Sequence, residues 1–285
     1  MKVVNLKEEL EYRGYNPNQQ IINPSQELIQ INEVLNHPRL DIEPTHTDTL
    51  KNTIKSTKSF YKRHFHLERI PHLYEKKGIS YIETINPFKL PVTQNPNMDE
   101  DQTSFSGCLR EVILPEQEQF HLAYHGLELS NRISELTRLA YTHELAHTQL
   151  NHIKGIIEQY YNTEIISIFL ELVHAYEEGL LDVHDAARLK NLQGGIQELI
   201  DKNSPESILI EASLYTVSTL KAYDLFFKYY CGTTKIKKEI MSYIQSLFSQ
   251  QITLEDLLYQ FEISFESSTQ PDRILSYLNY RQIWK

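Results

Sequence analysis

The chain has 285 residues, of which 40% are hydrophobic and 23% charged, a composition typical of a globular protein. Its formal net charge of −10 disfavours a nucleic-acid-binding face, and its 9 glycines form neither of the common phosphate-binding loops. No apolar run is long enough to span a membrane, no leader peptide is recognisable, and the 2 cysteines lack metal-site or disulfide spacing. We therefore expect a cytoplasmic protein that binds neither nucleic acids nor membranes, in an oligomeric state that the sequence does not indicate.

The first part of the chain has a helical pattern. Ser25 can cap a helix that buries Leu28, Ile31 and Leu35, and a second helical pattern runs from about residue 47 to about residue 67. These patterns predict an N-terminal helical region over residues 1–75. Residues 76–285 then form a second region, which carries the chemical motif described below, unless the two regions are one continuous domain.

The middle of the chain changes character. Residues 79–85 and 108–114 alternate apolar and polar side chains, as half-buried strands do. Apolar residues then return to helical spacing, which predicts helices near 133–153, 160–179, 183–202, 205–230, 235–249 and 253–261. Gly179 and the Gly194–Gly195 pair are predicted to mark helix ends. The expected fold class is mainly α with a small, mostly antiparallel β-sheet.

The motif with the clearest chemical meaning is His143-Glu144-Leu145-Ala146-His147. Side chains four residues apart lie on one face of a helix, so His143 and His147 can direct their imidazole nitrogens at one point. Two such nitrogens are typical zinc ligands. Glu144 is adjacent to the first ligand without being one itself, so it can take a proton from a water that the zinc has acidified. The motif predicts one Zn²⁺ ion per chain and a hydrolytic reaction.

A third protein ligand is expected from the next helix, because a catalytic zinc site has three. Glu164, Glu171 and Glu178 recur every seven residues in an otherwise apolar segment, and so form one stripe along that helix. Glu171, at the middle of the stripe, is the predicted ligand, and His174 is the competing candidate. Glu178 is predicted to accept a hydrogen bond from a ligand histidine.

The motif and the segment from Ile168 to Leu181 together resemble the oligoendopeptidase F and thimet oligopeptidase family of zinc peptidases. The family pattern is HExGH, a third-ligand Glu on a following helix, and a further Glu about two turns later, which Glu171 and Glu178 match here. The chain departs from the pattern at Ala146, where the family has Gly, and at Leu150, where it often has His. The resemblance covers roughly residues 105–265.

The resemblance implies an α+β, zincin-like fold. It further implies that the protein acts on peptides or unfolded polypeptides. It also implies a strand that lines the cleft and pairs with the substrate, for which Cys108–Leu114 is the candidate, with Leu109, Glu111 and Ile113 as substrate-binding residues. A late tyrosine would stabilise the oxyanion; Tyr215 is the first candidate and Tyr223 the second.

Two other functions are compatible with the same residues. The protein could be a regulatory protease that cuts one specific protein partner, or a module that binds metal without catalysis. An intact Glu144 argues against the second alternative, because a purely structural metal site does not need a general base.

Overall fold

The computed structural model describes residues 23–36, 50–66, 73–76, 79–82, 104–113, 119–128, 135–150, 157–204, 206–263 and 271–281. The strands, the first turns of several helices and some positions of the motif helix, Glu144 and His147 among them, are described by their backbone alone. The elements in chain order are α1 (Gln26–Leu35), α2 (Leu50–Phe65), β1 (Leu73–Lys76), β2 (Ile79–Ile82), β3 (Ser104–Ile113), β4 (Gln119–Glu128), α3 (Glu135–Gln149), α4 (Ile157–Glu178), α5 (Leu181–Asp201), α6 (Glu206–Cys231), α7 (Thr234–Phe248), α8 (Leu254–Gln260) and α9 (Pro271–Arg281).

Local chemistry explains where several helices begin and end. The Ser25 hydroxyl accepts a hydrogen bond from the Leu28 amide at 3.3 Å and caps α1, as the sequence predicts. Thr253 and Asp256 form a reciprocal capping box at the start of α8. Gly179 follows α4 with a φ of +72°, a conformation that glycine adopts without steric cost, so its predicted role as a helix end is confirmed.

The Gly194–Gly195 pair does not end a helix, contrary to the prediction, because α5 continues through both residues to Asp201. A Cβ atom at residue 195 would lie 3.0 Å from the Thr216 hydroxyl of α6, whereas one at residue 194 would meet nothing within 4 Å. The absence of a side chain at Gly195 therefore allows α5 and α6 to approach closely.

The core is formed by long helices packed on one another. Every residue of α4 from Thr163 to Ala175 is buried, as is every residue of α6 from Ser218 to Phe226. The helix α4 packs against α3, α5 and α6, while α2 packs against α3 and α7. At the other side, α1 and α9 pack against each other, and they also contact α5 and α6 respectively. The motif helix α3 therefore lies between α2 and α4.

A buried carboxylate joins three of these helices. Asp185 of α5 accepts hydrogen bonds from the hydroxyl of Tyr223 on α6, at 3.0 Å, and from the hydroxyl of Tyr277 on α9, at 2.7 Å. Both phenols are nearly inaccessible to water, and Asp185 is 2% exposed. Pairing of these polar groups offsets the cost of burying them and fixes α9 against the body.

The four described strands pair only antiparallel, in the spatial order β1-β2-β4-β3. The two segments predicted to be strands lie at Ile79–Ile82 and Ser104–Ile113. The register aligns Leu109 with Ala123, Glu111 with His121, and Ile113 with Gln119. Among the described strands, β3 is therefore an edge strand with a partner on one side.

The predicted α+β, zincin-like fold class is wrong for the packed body of the protein. Every hydrophobic side chain in the described core belongs to a helix or to a turn directly after one. The helices α4 and α6 are apolar around most of their circumference and bury one another, so the described core forms without a sheet as one of its layers.

Candidate metal-binding site

The first motif histidine lies in a buried position between two helices. His143 is on α3, one turn before the end of the motif, and only 9% of its surface is exposed. The turns on either side of it contribute Leu139, Tyr141, Leu145 and Ala146 to the core. This apolar setting holds the imidazole against α4 and limits the access of water to it.

Two carboxylates of α4 meet the two ring nitrogens of His143. Nδ1 lies 3.1 Å from Oε2 of Glu171, and Nε2 lies 3.2 Å from Oε2 of Glu164. Both carboxylates are almost completely buried, with exposures of 5% for Glu171 and 2% for Glu164. The structure thus brings Glu171, the predicted ligand, to His143, and it adds Glu164 from the same stripe of the helix.

Helix α5 contributes two further groups to the cluster. Nε2 of His184 lies 3.0 Å from Oε1 of Glu171, and the guanidinium of Arg188 donates to Oε2 of the same carboxylate. His184 is buried, and its contact with Glu171 is a close approach of the two side chains without the angles of a hydrogen bond. Sequence reasoning missed both residues, although their four-residue spacing on a predicted helix places them on one face.

The electrostatics of the cluster follow from this pairing. Burial lowers the pKa of His143, but the nearby carboxylates of Glu164 and Glu171 outweigh burial and raise it from 6.5 to about 10. Burial raises the pKa of Glu171, but Arg188, His184 and His143 together hold it well below the usual value for a carboxyl. In the metal-free chain, therefore, a protonated imidazole lies between the carboxylates of Glu164 and Glu171, and it stabilises the ionised form of Glu171.

The competing ligand His174 is engaged elsewhere. Its Nδ1 lies 2.6 Å from the Thr142 hydroxyl and its Nε2 lies 3.0 Å from the Ser56 hydroxyl, while its ring stacks on Phe60. Both ring nitrogens thus face hydroxyl groups of α2 and α3. Since each nitrogen already has a hydroxyl partner, these contacts argue against His174 as a metal ligand.

Glu178 belongs to the same edge of the site. Its Oε1 accepts a hydrogen bond from the Ser56 hydroxyl at 3.0 Å and lies 3.7 Å from Nε2 of His174. These contacts link Glu178 to the helix α2 and to His174. Its predicted role as the acceptor for a ligand histidine stays a prediction.

The remaining predicted residues are described only in part. The side chains of Glu144 and His147 lie outside the described part of the structure, as do those of Leu109, Glu111 and Ile113. Tyr215 is on α6 and is 37% exposed. The second oxyanion candidate, Tyr223, is fully buried and donates a hydrogen bond from its hydroxyl to Asp185, the buried carboxylate that joins α5, α6 and α9.

The donor set of the cluster fits a divalent cation. An imidazole nitrogen and carboxylate oxygens are ligands that zinc binds readily, and two buried carboxylates favour a cation between them. Among the described residues, no group of three or more His, Cys, Asp or Glu side chains is arranged to hold a metal. The ligand set predicted from the sequence also includes His147, whose side chain lies outside the described part of the structure.

Comparison with known proteins returns no relative. No family model matches the chain, and neither a curated protein nor a solved structure is significantly similar to it. The resemblance to the oligoendopeptidase F family therefore stays a prediction. In the described part of the chain, no helix is both long and apolar enough to cross a bilayer.

Proposed function

We propose that this protein is a zinc-dependent metallopeptidase that hydrolyses peptide bonds with Glu144 as general base. The observation that carries the proposal is the setting of the HExxH motif. The motif lies within one continuous helix, and its first histidine is buried between two acidic side chains of the next helix. A helix that merely exposed its histidines to solvent would not need two buried carboxylates beside His143.

The metal would be held by His143, His147 and a carboxylate of α4, for which the sequence predicts Glu171. A zinc ion held there would supply a Lewis acid, able to acidify a bound water and to polarise a scissile carbonyl. Buried carboxylates strengthen cation binding because little water competes with them. One of the two N–H protons of the protonated His143 ring must leave before that nitrogen can bind metal, so metal binding and deprotonation are coupled.

Glu144 performs the proton transfers in this proposal. Its carboxylate takes the proton from the attacking water and delivers it to the leaving amine, so no covalent intermediate is required. Tyr215 remains the first candidate for an oxyanion donor, since its 37% exposure leaves it accessible to a ligand. Tyr223 is a weaker candidate, because its hydroxyl is already bonded to Asp185 in the core.

An edge strand is a natural binding surface for an extended peptide. Of the described strands, β3 is last in the sheet order and pairs on one side with β4. A substrate strand added to the other side would be recognised through main-chain hydrogen bonds, with little demand on its sequence. This supports oligopeptides or unfolded polypeptides as substrates, which would contact Leu109, Glu111 and Ile113. We also propose that the protein acts in the cytoplasm.

The decisive experiment compares the wild type with Glu144→Gln. We expect both proteins to contain zinc, and the variant to cleave a mixed peptide library several orders of magnitude more slowly, because the general base is lost. The control is Glu135→Gln, which alters a carboxylate on the same helix, nine residues earlier and so on the opposite side. It should leave cleavage unchanged.

Each outcome of this comparison has a distinct meaning. Equal cleavage by the wild type and Glu144→Gln would contradict the proposed chemistry. Zinc binding without any cleavage of the library would favour a protease for one specific partner, or a non-catalytic metal module. A wild type that binds no divalent metal would exclude the proposal altogether.

A further inference from the structure

The two carboxylates around His143 have different surroundings. Glu171 already has three partners in addition to any metal: Nδ1 of His143, Nε2 of His184 and the guanidinium of Arg188. Glu171 is thus a fixed anion, which a positive charge from α5 holds in place. A carboxylate engaged in this way is suited to orienting an imidazole rather than to meeting a metal.

The contact between Glu171 and His143 also defines the tautomer of the ring. A histidine that binds metal through one nitrogen usually donates the N–H of its other nitrogen to a carboxylate. When Nδ1–H of His143 donates to Glu171, the lone pair of Nε2 is directed away from it. The acidic group on that side of the ring is Glu164, at 3.2 Å.

The separation of these two atoms matches that of two ligands on one metal ion. Zinc binds imidazole nitrogen and carboxylate oxygen at about 2.0–2.2 Å, so two ligands at the tetrahedral angle lie about 3.3 Å apart. Nε2 of His143 and Oε2 of Glu164 are 3.2 Å apart. A cation could therefore replace the imidazole proton between them with little movement of either side chain.

The positions along the helices agree with this arrangement. The helices α3 and α4 are consecutive, packed on each other and joined by a short connection, and such helices run antiparallel. Moving from residue 143 to residue 147 on α3 therefore corresponds to moving toward the N-terminal end of α4. Glu164 lies two turns closer to that end than Glu171, and so on the side where the second motif histidine is anchored.

We propose that Glu164 is the α4 carboxylate that binds the metal, and that Glu171 is a positioning residue that orients His143 under the control of Arg188 and His184. This inference rests on the proposed metal site and changes the assignment of its third ligand. It also gives Arg188 and His184 a defined role, because they hold the carboxylate that orients His143.

A thiolate introduced at each position provides a direct test. Cobalt(II) can replace zinc, and a thiolate bound to it produces an intense charge-transfer band in the near ultraviolet. We expect this band from Glu164→Cys loaded with cobalt and not from Glu171→Cys. The cobalt-loaded wild type, which retains Cys108 and Cys231, provides the background spectrum. A band from Glu171→Cys, or no band from Glu164→Cys, would overturn the assignment.

Isosteric variants supply a second, independent measurement. Zinc affinity, measured by competition with a chelator, should fall by about 10–100-fold in Glu171→Gln, as is usual for a residue that orients a ligand. It should fall further in Glu164→Gln and remain unchanged in Glu177→Gln, the matched control on the same helix. An equal or larger loss in Glu171→Gln would contradict the inference.

The proposed function and this inference fail in different ways. If the wild type bound neither cobalt nor zinc, the metal site itself would be refuted. If the wild type bound metal and lost it only on substitution of Glu171, the metallopeptidase proposal would stand and the role of Glu164 would be refuted.

Discussion

His143 is a buried imidazole between two carboxylates, and its proton is what holds the metal-free site together. Without a positive charge on the ring, the carboxylates of Glu164 and Glu171 would lie on either side of a neutral imidazole, and their repulsion would be poorly screened because little water reaches them. Arg188 compensates only part of this, since it contacts Glu171. A metal ion would take over the role of the proton, and for this reason the two compete.

The metal-free protein should lose stability as the pH rises through the titration of His143. Because its folded pKa is raised from 6.5 to about 10, its contribution is complete below about pH 6.5 and disappears as the pH approaches 10. We expect the free energy of unfolding, measured with urea in the presence of a chelator, to fall over this window by up to about 1.4 kcal/mol per pH unit.

The control for this titration is His143→Gln, which carries no proton to lose. Its unfolding free energy should be lower than that of the wild type near pH 6 and should depend much less on pH between 6.5 and 10. The groups that face His143 are Glu164 and Glu171, with His184 and Arg188 behind Glu171. A wild-type profile that is flat over the window would refute the ion pairing described here.

At the site, the sequence alone predicts what lies within a helix or between neighbouring helices. The acidic stripe in an apolar helix predicts Glu171 as a metal ligand beside His143. The two side chains are in contact, and the ligand role of Glu171 stays a prediction. His184 and Arg188 were not predicted, because their contact with Glu171 depends on how α5 folds back onto α4. The only signal in the sequence was that Glu171, in an apolar helix, needs a positively charged partner, and this does not identify which residue supplies the charge.

At the scale of elements, helical periodicity located six successive helices between residues 133 and 261 with only small errors at their ends. The pattern failed for α9, which begins at Pro271 and is short, and whose position depends on the bonds of Tyr277 and Arg281 to α5. It also failed at Gly194–Gly195, because a glycine that allows two helices to pack closely looks the same in sequence as one that ends a helix.

The two adjacent glycines of α5 should respond differently to the same substitution. Alanine stabilises a helix interior by about 0.8–1.0 kcal/mol relative to glycine, and a Cβ at residue 194 meets nothing. We therefore expect Gly194→Ala to raise the free energy of unfolding by roughly this amount. Gly195→Ala should gain less or destabilise the protein, since its Cβ would lie 3.0 Å from the Thr216 hydroxyl.

Urea unfolding of the two glycine variants, of Thr216→Ala, and of the Gly195→Ala/Thr216→Ala pair, which removes the hydroxyl near residue 195, would measure this difference. The comparison is well controlled, because the positions are neighbours in one helix and the substitution is identical. Equal stabilisation by both alanines would mean that α5 and α6 are not in close contact at Gly195.

At the scale of the whole molecule, the helices that carry the candidate site are also those that form the core. α3 packs between α2 and α4, and α4 in turn packs against α5 and α6. The same turns that supply Glu164 and Glu171 contribute Ile165, Ile168 and Leu172 to the core. Site geometry and global stability are therefore coupled, and a ligand that binds the site should stabilise the whole helical body.

Zinc should raise the unfolding midpoint of the wild type in a concentration-dependent way, because a ligand that binds only the folded state stabilises it by mass action. A free zinc concentration of 100 times the dissociation constant corresponds to about 2.7 kcal/mol, readily detected in a thermal unfolding curve. His143→Gln should lose most of this shift, whereas Glu144→Gln should retain it, because Glu144 is assigned to proton transfer and not to the metal. A shift of equal size in His143→Gln would show that zinc binds elsewhere on the protein. If zinc did not shift the midpoint of the wild type, the buried charge cluster would not be a metal site.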